Sequence, residues 1–303
     1  MSTIKTANLK FWIFFLFAII VGFIFPNQLK DFDFLILLIL MIVLFIIFIK
    51  IDIFEILFHL KKPSLLLYVL IMNLVVFPII VYFLSFGFST DLIIALVLLA
   101  SLPTGVSASA LTDIIKGRTS LTLVISVLST IIAIITMPLM FYLLLNTKIE
   151  LNYISLILML IKLIFVPLVI SQIVKKIFNK RYLEPIQKYS NNITIALISI
   201  MIAIIIGGQA NQILSNVAEV VYYLLILYVM FFIFQLVSYF MVYKLHKKDK
   251  IAVSNSKTFM NLSLGIGLAY LFFDPKIALI IVIAEIPWST MLIIFSLYEK
   301  HLK

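Results

Sequence analysis

Ser101-Leu-Pro-Thr-Gly-Val-Ser-Ala-Ser-Ala-Leu-Thr-Asp113 interrupts a stretch of chain that is otherwise hydrocarbon. Residues 92–100 before it are wholly apolar, and residues 121–145 after it are nearly so. A helix cannot run smoothly through Pro103-Thr104-Gly105, because proline removes a donor and clashes with the preceding turn. Lipid cannot satisfy the backbone groups that such a break frees, so it survives at membrane depth only when buried in protein or lining a wet cavity. Carriers build their binding sites from discontinuous helices of this kind.

The surrounding composition places the break in a membrane. Of 303 residues, 64% are hydrophobic and 12% charged, too few polar side chains to cover a soluble domain of this size. Apolar runs about long enough to cross a ~30 Å hydrocarbon core recur throughout. They predict ten spans, at roughly 9–26, 34–53, 64–86, 92–116, 119–145, 152–174, 191–209, 218–243, 250–273 and 275–298. The run 11–25 is too long and aromatic for a signal peptide core and is read as a retained span. There is no cysteine, which removes disulfides and thiolate metal sites.

The net charge of +10 is a topology signal. With the N-terminus inside, only Lys30, Lys148 and Lys276 fall in outer loops, and Lys162 and Lys257 fall within spans. The other 18 of the 23 Lys and Arg residues lie in inner segments. That is the positive-inside pattern. It predicts a multi-pass protein of the cytoplasmic membrane with both termini cytoplasmic, and lipid rather than nucleic acid as its surroundings.

No large soluble domain is expected: 1–303 reads as one polytopic membrane domain. The longest connection, residues 175–192, is basic, contains Pro185, and is expected to be an amphipathic cytoplasmic piece joining two halves, about 1–150 and 151–303. Each half has five spans, and an odd number inverts the second half relative to the first. The fourth span of each is interrupted: the first at Pro103-Gly105, the second by Ser254-Asn-Ser-Lys-Thr258 and Met260-Asn261-Leu-Ser263-Leu-Gly265-Ile-Gly267. Matching breaks in inverted halves point to a substrate site near the midplane. The predicted fold is therefore all-α, with about ten transmembrane helices in two inverted five-helix repeats and broken, crossing fourth and ninth helices.

Candidate binding groups gather at these breaks. Ser107, Ser109 and Thr112 follow the first, and Thr122, Ser126, Ser129 and Thr130 share one face of the next span. Such hydroxyls either coordinate a small ion or substrate, or bridge helices. Ser256 and Asn261 flank the second break, and Asn73 is a single amide in an apolar span. Asp113, Lys162, Lys257 and Glu285 are ionisable groups within spans, and a lone charge there costs at least about 2.5–3.5 kcal/mol. Pairing of Lys257 with Glu285 or Asp113, or of Glu285 with Lys162, would offset that cost. Asp113 also lies within reach of cytoplasmic water near Lys116. His59, His246 and His301 lie in cytoplasmic segments and form no metal constellation. There is no P-loop, zinc motif or Ser-His-Asp arrangement, so any active transport must draw on an ion gradient.

Leu102-Pro-Thr-Gly-Val-Ser-Ala-Ser-Ala-Leu-Thr112, Lys116-Gly117, Leu121-Thr122, Ser129-Thr130 and Met137-Pro138-Leu139 resemble the fourth and fifth helices of the bile acid:sodium symporter family. Lys61-Lys62-Pro63 with Asn73 and Phe77-Pro78 resembles the start of its third. Met260-Asn261, Phe273-Asp274-Pro275 and Glu285-Ile-Pro-Trp288 resemble its ninth and tenth. The auxin efflux carriers share a similar break. The resemblance implies a panel of spans 1, 2, 6 and 7, a core of spans 3–5 and 8–10, a crevice between them for substrate, and sodium coupling. At the positions of the family's sodium ligands this chain has Ala108-Ser109, Thr122 and Ser126, Ser256 with Met260, and Asn73. The resemblance implies that the hydroxyls of Ser109, Thr122 and Ser126 are the remnant of a sodium site. The acidic ligand and both glutamines of the family are not present.

The expected function is alternating-access transport of a small organic anion, attracted by helix N-termini and by Lys257. Lys257 is expected to stand in for one sodium ion, leaving sodium or a proton as the coupling ion and no other cofactor. An auxin-efflux-carrier-like exporter of a carboxylate, a channel and a membrane-embedded enzyme are the alternatives. An enzyme would show clustered His, Asp or Glu, which the sequence does not.

Overall fold

A computed structural model describes residues 2–49, 63–146, 152–178 and 180–298, and of these all side chains except 2–11, 180 and 181. Lys50, Lys61, Lys62, Lys148, Lys300, Lys303, His59 and His301, which entered the charge count and the motifs above, lie outside the described residues, as do the side chains of Lys5, Lys10, Lys180 and Arg181.

All the described secondary structure is helical: α1 (Ser2–Ile24), α2 (Pro26–Lys30), α3 (Leu35–Ile49), α4 (Pro63–Leu84), α5 (Thr90–Ser101), α6 (Ser107–Ile114), α7 (Thr119–Leu145), α8 (Tyr153–Ile177), α9 (Lys180–Ser215), α10 (Val217–Phe240), α11 (Lys247–Thr258), α12 (Leu262–Phe272) and α13 (Pro275–Tyr298). Six of these, α4, α7, α8, α9, α10 and α13, contain a segment long and apolar enough to cross a bilayer unaided. Shorter apolar helices accompany them. The outward faces are greasy: Leu38, Leu67, Ile135, Leu158, Leu225 and Leu297 are all exposed. A water-soluble surface does not carry apolar side chains at this density, so they face lipid.

Helix ends are set by local chemistry. Asn152, Asn216, Asn261 and Asp274 accept backbone N–H bonds from Ser155, Glu219, Leu264 and Lys276, capping α8, α10, α12 and α13. The amphipathic piece expected over 175–192 is not a separate element: α9 runs on from Lys180 through Pro185 into the following span. Leu183, Ile186 and Ser190 turn inward at helical spacing while Tyr182, Glu184 and Lys188 face out, so the amphipathic face continues the helix instead of breaking it.

Packing falls into two groups. In one, α1, α2 and α3 pack on α9, and α3 packs on α8. In the other, α4 packs on α5, α5 and α12 on α13, α6 on α7, and α11 on α6, α7 and α10. The groups meet through α7 with α8, α9 with α13, and α3 with α12. At the last contact Gly267 lies so close to Leu40 that a Cβ there would sit 2.1 Å from Leu40 Cδ2.

Candidate functional site

The two interrupted segments cross, and each completes the other's backbone. Gly105 N–H donates to Phe259 O at 2.8 Å, and Asn261 N–H donates to Pro103 O at 2.8 Å, which pairs Thr104 with Met260 as a single antiparallel bridge. Side chains complete the accounting. Thr104 N–H donates to Ser129 Oγ at 3.1 Å, Ser126 Oγ donates to Thr104 O at 3.0 Å, and Thr104 Oγ1 donates to Ser256 O. Trp288 Nε1 donates to Met260 O at 3.0 Å. The backbone freed by Pro103 is therefore satisfied without water, as burial demands.

The sequence-predicted residues divide accordingly. Ser126 supports the first break directly. Thr122 Oγ1 donates to Thr112 Oγ1 at 3.1 Å and approaches Ala252 O at 3.4 Å, so it ties α7 to α6 and α11. Asn255 Nδ2 also donates to Thr112 Oγ1, at 3.0 Å. Ser109 Oγ donates back to Val106 O, the residue just before its own helix. The three hydroxyls read as a sodium remnant thus do not share a partner: each bonds a different backbone or side-chain group.

Asn73 Nδ2 donates to Ser256 Oγ at 3.2 Å, joining α4 to α11. Asn73 Oδ1 is buried without a partner among the described residues, as is Asn255 Oδ1. Asn261 is spent as the α12 cap.

Lys257 is 1% exposed and pairs with neither Glu285 nor Asp113, which corrects the expected ion pair. Its Nζ donates to Asn73 O at 3.0 Å and to Ala100 O at 2.5 Å. It also lies 4.7 Å from the ring centre of Phe234 and 5.1 Å from that of Phe77. Both carbonyls are available because of prolines. In α4 a π-turn over Met72–Val76 sends Phe77 N–H to Met72 O, and Pro78 has no N–H to give Asn73 O. In α5, Pro103 has none to give Ala100 O, and Thr104 N–H is taken by Ser129. α5 and α11 both end here, so the ammonium sits where the negative ends of two helix dipoles converge.

Glu285 is 4% exposed and has no ion-pair or hydrogen-bond partner among the described residues. The expected pair with Lys162 does not form, since Lys162 is exposed on α8. Replacing a buried, unpaired carboxyl by its neutral isostere relieves a desolvation cost. Glu285→Gln is therefore expected to raise the melting temperature of the purified protein by a few degrees, on the order of 1 kcal/mol. A fall of similar size would mean that Glu285 is held by an interaction this reading lacks. Asp113 is exposed and accepts from Thr119 Oγ1 at 3.4 Å.

The two interrupted segments differ in exposure. Along α6, Ser107, Ala110, Asp113 and Ile114 are exposed, whereas α12 is buried from Leu262 through Ala269. Among the described residues the amides of Val106 and Ser107 and the hydroxyl of Ser107 have no acceptor or donor partner. The amide and hydroxyl of Ser263, in the first turn of α12, likewise have none. Beyond α12 lies a part-open cavity of about 140 Å³ lined by Lys30, Asp33, Gln209 and Tyr270 among others. Tyr270 Oη donates to Asp33 Oδ2 there at 3.0 Å.

Sequence reasoning missed Thr104 as a hinge of the crossing, Asn255, Ser263 and the aromatic pair Phe77–Phe234. For the polar three the available signal was their position inside apolar spans. For the ring pair there was none, because phenylalanine is everywhere in this chain.

Comparison with known proteins bears on this arrangement. The description Sodium Bile acid symporter family matches residues 35–216, more than half of the chain. An uncharacterized sodium-dependent transporter of Bacillus subtilis (strain 168), YocS, is 22% identical over 158 residues, covering 52% of this chain and 49% of the relative. The match thus spans about half the length of that curated relative.

Proposed function

Because the chain belongs to the sodium bile acid symporter family, we propose that it is a secondary transporter that carries a small organic anion across the cytoplasmic membrane by alternating access. The observation that carries this reading is the accessible N-terminus of α6 at the crossing, with the unpartnered amides of Val106 and Ser107 and the hydroxyl of Ser107 beside it. Free N–H groups at a helix N-terminus bind anions. Exposed Asp113, at the far end of α6, lies about two turns from that N-terminus.

The architecture we propose is ten spans in two inverted halves: α5 with α6 makes the fourth span, and α11 with α12 the ninth. Equal lengths support it, since α5 and α11 are both 12 residues. So do the ion pairs. Asp91, in the first turn of α5, faces Lys276 of α13 at 3.8 Å, and Asp249, in the first turn of α11, meets Arg118 before α7 at 2.8 Å. The same acid–base relation recurs at opposite ends of the crossing. The first packing group (α1, α3, α8 and α9) is then the panel and the second the core, and substrate binds between them. Lys116, Arg118, Lys247 and Lys248 cluster at the open end of α6, with Arg118 N–H donating to Lys248 O, so this conformation faces the cytoplasm.

Panel and core touch at Gly267 and Leu40 on the closed side. Gly267→Val is expected to hold that side apart and populate the outward-facing state. The chain has no cysteine, so a single Ser107→Cys reports access cleanly. Its labelling by an impermeant thiol reagent from the cytoplasmic side is expected to fall several-fold when Gly267→Val is added. Unchanged labelling would sink the alternating-access assignment of this contact.

The test of function is a thermal-shift screen of purified protein over small organic acids, followed by flux of the hits into proteoliposomes under imposed sodium or proton gradients. Ligand that binds only the folded state raises its melting temperature. Stabilisation by organic anions with saturable flux is the expected result. Stabilisation by organic cations alone, or single-channel currents, overturns it.

A further inference from the structure

We propose that Lys257 is a tethered cation that occupies the position of a coupling ion, so that the junction of α4, α5 and α11 holds its positive charge without sodium. The inference rests on the transporter reading above and deepens it. The family and the Bacillus subtilis relative carry sodium in their descriptions, which makes the place a cation would take in this chain the point at issue. At the junction of α4, α5 and α11 the place is taken. Two main-chain carbonyls, of Asn73 and Ala100, converge on Lys257 Nζ, with the rings of Phe77 and Phe234 closing over it.

Each part of this cage favours positive charge. The carbonyls lack helical donors because of Pro78 and Pro103, so an unoccupied cage would leave two acceptors unsatisfied in a buried site. The ends of α5 and α11 contribute negative dipole ends at the same point. The two rings offer their faces to a cation, and they themselves meet edge to face at 5.3 Å. No carboxylate among the described residues pairs with the ammonium. It therefore neutralises helix ends and carbonyls, the task of a bound metal ion, rather than an acidic side chain. Ser109, Thr122 and Ser126 each donate to a separate partner, so no single acceptor gathers the three hydroxyls. A cation fixed to α11 is not released with each cycle, as a free ion is.

The experiment compares wild type, Lys257→Ala and Lys257→Met as purified full-length protein, melted in sodium chloride, lithium chloride and choline chloride at equal ionic strength. Wild type is expected to melt at the same temperature in all three. Lys257→Ala removes the ammonium and leaves space, so it is expected to melt lower in choline. Sodium or lithium at about 100 times its Kd should then restore roughly 5 °C. Lys257→Met fills the space without charge and is expected to melt lower with no cation response. Should Lys257→Ala not accumulate, the wild-type titration together with Lys257→Met decides. Saturable stabilisation of wild type by sodium overturns the proposal, as does a Lys257→Ala protein as stable as wild type in choline. The melts require no transport. Absence of anion flux alongside the expected cation pattern would therefore fault the transporter reading and leave the tethered cation standing.

Discussion

Gly105→Ala is expected to lower stability by about 3 kcal/mol, and Gly105→Val to leave little folded protein. The added Cβ would lie 3.0 Å from Phe259 O and 3.1 Å from Met260 O. Both are backbone atoms, so neither can swing aside as a side-chain terminus does. Relief requires the two interrupted segments to move apart by a few tenths of an ångström, and that movement strains the Gly105–Phe259 and Asn261–Pro103 bonds at 2.8 Å together. Overpacking costs about 1–3 kcal/mol, and each buried polar group left unsatisfied adds about 1–3 kcal/mol. The cost at Gly105 joins the two terms. By contrast Gly208→Ala, where an added Cβ meets nothing within 4 Å, serves as the control. Melting temperature and monodisperse yield are the measurements, and a Gly105→Ala protein that melts with wild type would remove the crossing from its central place in the fold.

The crossing was legible in the sequence because Pro103 and Gly105 stand out against hydrocarbon, and because a polar cluster at 254–263 repeats the event in the second half. What the sequence concealed was who satisfies the freed backbone. Ser126 and Ser129 read as a polar stripe suited to a substrate, and they turn out to hold Thr104 from both sides. Hydroxyl spacing locates a face but does not say whether it meets ligand or main chain. Lys257 was legible as an anomaly, yet the sequence suggested a carboxylate partner. Its true partners are carbonyls, which every residue carries and no side chain announces. They are exposed by Pro78 and Pro103, so the information was present in the prolines, though only a three-dimensional arrangement brings the two freed acceptors to one point. The same holds at 180–215, where charge marked the end of a lipid-facing stretch but not of the helix.

The accessible end of α6 gives the largest effect expected on transport. Ser107→Asp is expected to weaken binding of an organic anion by about 100-fold or more while leaving stability unchanged or slightly raised. Ser107 is the first residue of α6, exposed, and its amide and hydroxyl are unpartnered among the described residues. A carboxylate in the first turn is favoured by the helix dipole, by about 0.3–1 kcal/mol, so the fold does not oppose the change. An incoming anion meets the opposite balance. It loses the free amides to a resident carboxylate and meets a like charge, worth about 4 kcal/mol at 4 Å with an effective dielectric near 20. Part of that is screened in a crevice open to water, which leaves roughly two powers of ten in affinity. Ser107→Ala removes one hydroxyl and keeps the amides, so its effect should be within about 10-fold, the value of one net hydrogen bond. The pair of variants separates charge at this point from loss of shape. Uptake measured against substrate concentration, with melting curves on the same preparations, checks both. If Ser107→Asp transports its anion like wild type, the substrate does not use the N-terminus of α6.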